Sequence, residues 1–113
     1  MPRAALLVLT NLPDRASADA MARALIEARL AACVSIGAVH DSLYHWRGEI
    51  EMAQEVPLTI KTCADFYPAV EAAIRAQHPY ELPEIIAVPI HHGFAPYLDW
   101  IAAETLPPGA APA

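Results

Sequence analysis

His78-Pro79-Tyr80-Glu81-Leu82-Pro83-Glu84 gathers an imidazole, a phenol and two carboxylates around two prolines. Pro79 lacks an N–H and drives residue 78 out of the α region, so His78 must sit at a stiff helix exit. A stiff backbone carrying those groups can form a binding site, or it can be a structured turn with a solvated histidine. The other residue suited to soft-metal chemistry is Cys33. Thiolate and imidazole are ligands that copper prefers, and a thiolate favours Cu(I). The alternative is that Cys33 packs as a small hydrophobe. Glu81 can add an oxygen ligand or remain solvated.

A second group of residues fits a small-molecule cleft between subunits. Tyr44, Trp46, Lys61, Tyr80 and Trp100 are large polar or aromatic side chains that line such sites. Lys61 is the one cation in an otherwise apolar stretch, so it is expected to face a carboxylate or an anion. Pairing with Glu55 or with a neighbouring subunit is the plainer reading. His91-His92 are expected to point to opposite faces of a strand, as are His40 and His45, five residues apart. No Cys-x-x-Cys zinc spacing and no glycine-rich phosphate loop occurs. Nor does a nucleophile–base pattern, so the expectation is a binding protein without an organic cofactor, not an enzyme.

The elements that must hold these residues can be read from periodicity. Residues 4–10 (AALLVLT) are a short apolar run, fitting a strand buried on both faces. Ser17 is placed to cap a helix reaching about residue 31, with Ala18, Met21, Ala22 and Leu25 on its apolar stripe. Residues 34–46 read as one long strand, bent at Gly37. Arg47-Gly48 supplies the turn and residues 49–62 return, with Val56, Leu58 and Ile60 of one parity opposed to Glu55, Thr59 and Lys61. Pro57 points to an edge or a bulge there. Asp65 is placed to cap a second helix that Pro79 ends. Residues 84–90 form a last strand, and 96–106 a last helix.

This β-α-β-β-α-β order with a terminal helix predicts an α+β, ferredoxin-like sandwich over residues 1–106 and a disordered tail over 107–113. Two helices cover only one face of a sheet, yet the first and last strands do not alternate. With no second layer expected from 113 residues, another subunit must cover the second face. Val8 and Ile86 are the expected assembly positions. Both helix exits, and with them Cys33 and His78, are expected at one end of the sheet.

Composition narrows the partners. The chain is 56% hydrophobic with a net charge of −6, and seven Lys and Arg in no cluster exclude nucleic acid. No apolar run reaches the roughly 18 residues a membrane helix needs. The first apolar segment lacks a cleavage pattern, and two cysteines make no disulfide framework, so a cytoplasmic protein is expected.

On this skeleton, several runs resemble the CutA family of divalent-cation tolerance proteins. They are Ala28-Arg29-Leu30-Ala31-Ala32-Cys33-Val34, Ser42-Leu43-Tyr44-His45-Trp46-Arg47-Gly48-Glu49-Ile50-Glu51, Ile60-Lys61-Thr62, residues 78–86 and Tyr97-Leu98-Asp99-Trp100-Ile101. They cover nearly the whole chain in family order. The resemblance implies a tight homotrimer, similar to PII-type signalling proteins, that binds copper or another divalent metal ion. It equally admits a regulator with a small ligand between subunits, or a partner protein. Three positions depart from the family pattern. Thr10 stands where some members have a cysteine considered a copper ligand, Glu49 where lysine is usual, and Ala38 where proline is common.

Overall fold

A computed structural model describes residues 4–106. The expected tail, 107–113, lies outside them. β1 (Ala5–Leu12) leads into α1 (Arg15–Glu27); then β2 (Cys33–Ile36), β3 (His40–Trp46) and β4 (Glu49–Cys63) follow. A short 3-10 turn (Ala64–Phe66) opens α2 (Tyr67–Gln77), and β5 (Ile86–Pro89) and α3 (Ala95–Glu104) complete the fold. The strands form one antiparallel sheet in the order β2-β4-β1-β5, with β3 also pairing with β4. No described helix is long and apolar enough to cross a membrane.

Asp14, not Ser17, caps α1. Its carboxylate accepts the Ser17 N–H at 2.7 Å, and that bond holds its pKa below the usual carboxylate value. The helix ends four residues earlier than expected because Arg29 turns left-handed at φ 60. The Arg29 N–H then bonds Ile26 O and the Leu30 N–H bonds Leu25 O, closing a Schellman motif that returns Leu30 to the core. α2 begins through the 3-10 turn, with Phe66 rather than Asp65 at its N-cap position.

The Arg47-Gly48 turn is as expected. Both residues have positive φ (50 and 81), the two-residue geometry that matches strand twist. The expected single strand 34–46 is instead two strands, broken around 37–39. Gly37 donates to Pro57 O at 2.9 Å, but Pro57 has no N–H to return. A Cβ on Gly37 would lie 2.7 Å from Pro57 Cγ, so glycine is required where the chain passes the ring. β4 is an inner strand, and Pro57 turns its missing donor to the gap between β2 and β3 rather than to a sheet edge.

Register separates two faces. Val8, Thr10 and Leu12 stand opposite Ile60, Leu58 and Val56. All six are buried, in the core formed with Met21 and Leu25 of α1 and Val70 and Ile74 of α2. The second face carries Leu7, Leu9, Thr59 and Lys61, with Ile86 and Val88 of β5 paired to Leu9 and Leu7. The expected assembly position Val8 is therefore on the core face, at 0% exposure, while Ile86 is on the second face at 52%. The chain does supply part of a second layer. α3 packs on β4 and β1, its Tyr97 ring 5.8 Å from Lys61 Nζ. It is tied to the end of α1 by an Arg29–Glu104 ion pair at 2.6 Å and by the Leu106 N–H bond to Arg29 O. Ile86 and Val88 remain uncovered.

Candidate functional site

Cys33 opens β2 directly opposite Lys61 of β4. Its thiol is half-buried, 3.9 Å from Lys61 Nζ and 4.0 Å from Ser35 Oγ. Lys61 thus meets a thiol and the Tyr97 ring, not Glu55, which lies six residues back along β4, roughly 20 Å away. Trp100 stacks on Tyr97 with ring centroids 5.4 Å apart and belongs to this same end of the molecule.

His78 closes α2 at the other end. Its Nδ1 accepts the Tyr80 N–H at 3.2 Å, so the proton sits on Nε2, which donates to Asn11 O at 2.7 Å. Both ring nitrogens of a neutral imidazole are thereby engaged by backbone. The Tyr80 ring lies 4.8 Å away. Asn11 stands opposite Pro57, and Cys33 opposite Lys61, four residues along β4. That is roughly 13 Å of strand. β2 runs parallel to β1 and β5 runs against it, so α1 and α2 discharge at opposite ends of the sheet. The expected meeting of Cys33 with His78 does not occur within one subunit. Glu81 is on the His78 side, exposed, and paired with Arg47 at 3.2 Å. Among the described residues, no three His, Cys, Asp or Glu side chains are grouped to hold a metal ion.

Thr10 faces the core at 1% exposure, and its Oγ1 has no hydrogen-bond partner. A hydroxyl buried without a partner is destabilising. Thr10→Val is expected to raise stability by about 1 kcal/mol, read from the denaturant midpoint. A lower midpoint would show that the hydroxyl is satisfied after all. His91 and His92 depart from expectation too. They follow the end of β5 rather than continuing it, so alternation does not apply, and their rings meet edge-on at 4.5 Å.

The aromatic residues do converge, in part. Tyr44 and Trp46 on β3 face Tyr80 and Leu82 across a cleft of about 480 Å³ that also reaches Glu55 and Glu84. A second cleft, sharing Tyr44, Trp46, Tyr80 and Leu82 with the first, is lined by Glu51 and Glu81. Glu55 is only 8% exposed, and the Tyr80 hydroxyl donates to it. Desolvation, then that hydrogen bond and the Glu55 charge, push the Tyr80 pKa up to about 12, so the phenol stays a donor. Of the five residues expected to share an intersubunit pocket, Tyr44, Trp46 and Tyr80 come together within one subunit, and Lys61 and Trp100 lie at its other end. Glu55 was not expected here: strand parity assigns it to a polar face, yet it is buried beside Tyr80.

The chain matches known proteins over most of its length. The family model described as CutA1 divalent ion tolerance protein matches residues 6–104. The divalent-cation tolerance protein CutA of Thermus thermophilus is 42% identical over 99 residues, covering 88% of this chain and 96% of that one. Human protein CutA is 43% identical over 93 residues, 82% of this chain, which spans about half (52%) of that protein. The crystal structure of CutA1 from Shewanella sp. SIB1 superposes with a TM-score of 0.88 at 46% identity, covering 93% of this chain and 98% of that one. With one antiparallel sheet and three helices matching those of its relatives, the chain belongs to the CutA1 family of divalent ion tolerance proteins.

Proposed function

We propose that this protein serves in the response to divalent metal ions, with copper favoured, as a cytoplasmic homotrimer of ferredoxin-like subunits and not as an enzyme. The observation that carries the trimer is the uncovered sheet face, where Ile86 and Val88 are 52% and 45% exposed beside Leu7 and Leu9. A second copy is the simplest cover for an apolar sheet face. Two free thiols accord with a reducing compartment.

Cys33 is the soft donor on that face. With no grouped ligands inside the described chain, a metal centre draws on more than one copy. His78 and Glu81 reach Cys33 only from a neighbouring subunit, and His78 must then exchange its Asn11 bond for the metal. The test is a titration of the reduced protein with Cu(I) against a competing chelator. Cys33→Ser is expected to weaken binding at least about tenfold, the loss of a soft ligand. An equal loss in His78→Ala assigns the intersubunit set. Retention in His78→Ala assigns thiols from several copies. Binding unchanged in Cys33→Ser removes the metal reading at this site.

A second reading is favoured by the cleft between the hairpin and residues 78–84. Its volume of about 480 Å³ is that of a small-molecule site, which suits a PII-like regulator.

A further inference from the structure

We infer that the cleft walled by Tyr44, Trp46 and Tyr80 takes a small organic cation, an alkylammonium, with Glu55 as its counter-charge. This rests on the small-ligand reading and adds the ligand's chemical class. Three observations point the same way. The walls include the aromatic rings of Tyr44, Trp46 and Tyr80, and such rings attract cations through their quadrupole, more strongly when water is excluded. The carboxylate at the floor is 8% exposed beside the Tyr80 hydroxyl, and no ion pair among the described residues involves it. Among the described residues, those lining this cleft and the adjoining one include Glu51, Glu55, Glu81 and Glu84 but no lysine or arginine.

The chain also demonstrates the preference itself. At the hairpin tip the Arg47 guanidinium lies 5.3 Å from the Trp46 ring centroid and 3.2 Å from Glu81. A cation therefore already sits between an aromatic face and a carboxylate at the cleft's outer edge. The inner half repeats this combination, Tyr44 and Tyr80 around Glu55, without a cation of its own. An anionic ligand such as a phosphate would meet carboxylates on both sides, and a purely apolar one would leave Glu55 desolvated without gain.

The probe is choline, compared with neohexyl alcohol, its uncharged carbon isostere, on the assembled full-length protein at matched ionic strength. Binding is followed by titration calorimetry and by Trp46 fluorescence, with Trp100→Phe as background. Choline is expected to bind at least about tenfold more tightly than the alcohol, the size of a desolvated cation–π contact. Glu55→Gln keeps the shape and an acceptor for Tyr80 and should abolish that preference. Trp46→Leu, near the exposed hairpin tip, should weaken choline with the fold intact even if Glu55→Gln fails to fold. Equal binding of both probes overturns the cation assignment and leaves the small-ligand reading standing. Binding of neither overturns both, as when a neighbouring subunit fills the cleft, and the copper titration is unaffected in either case.

Discussion

Val8→Asp is expected to leave no folded chain. Val8 sits in the middle of β1, between Ile60 of β4 and Ala87 of β5, at 0% exposure within the core shared with α1 and α2. An ionised carboxylate there would have no cation to meet. Its neighbours on the core face are Thr10, Leu58 and Ile60, and Thr10 Oγ1 already lacks a partner. Breaking or omitting the partner of a buried charge costs roughly 3–5 kcal/mol, and protonating it instead still leaves an unsatisfied acid. That is a large share of the roughly 5–15 kcal/mol that holds a domain together. Circular dichroism of the variant should show lost helix and strand signal, and most of the protein should be insoluble. A soluble Val8→Asp chain with the parent spectrum would mean that β1 presents Val8 to solvent or to another subunit.

The expectation that Val8 belongs to an assembly face came from a run, residues 4–10, whose positions are all apolar or small. Such a run does show that both faces are buried. It does not say which residue goes to which side, because parity is fixed only by pairing with β4 and by where the helices lie. The Arg47-Gly48 turn was legible because it depends on two adjacent residues and on flanking alternation. The Asp14 cap was missed by three positions because both Asp14 and Ser17 carry an oxygen suited to the role, and Ser17 ends as the donor. The break between β2 and β3 depends on Gly37 lying flat against Pro57, twenty residues away, which no local pattern reports. The placement of Cys33 and His78 could have been reached from topology alone. In an antiparallel β1–β4 pair, the helix after β1 returns to the start of β1, and the helix after β4 goes to its end. The aromatic cleft was legible as residue types. Glu55 was not, since it is buried beside a loop residue, Tyr80, twenty-five positions away in sequence.

Ile86→Asp is expected to separate folding from assembly. Ile86 pairs with Leu9 on the second face and is 52% exposed in the isolated subunit. A carboxylate there remains hydrated, so the subunit itself loses little, within about 0.5 kcal/mol as at other surface positions. In the proposed trimer that same position is covered by a second sheet. The charge would then be desolvated in every copy, and by symmetry several carboxylates would be brought into one interface. Light scattering should therefore give the mass of a single chain where the parent gives three, while circular dichroism keeps the parent's helix and strand content. Because assembly binds only the folded subunit, removing it also lowers the melting temperature, and the parent's melting point should fall on dilution while the variant's does not. Val88, still uncovered at 45% exposure, will also leave the variant sticky, so the measurement belongs at low protein concentration. A variant that still weighs three chains would place the interface away from the β5 edge, on the projecting β3–β4 hairpin, where Leu43, Ile50 and Met52 are further large apolar side chains left open to solvent.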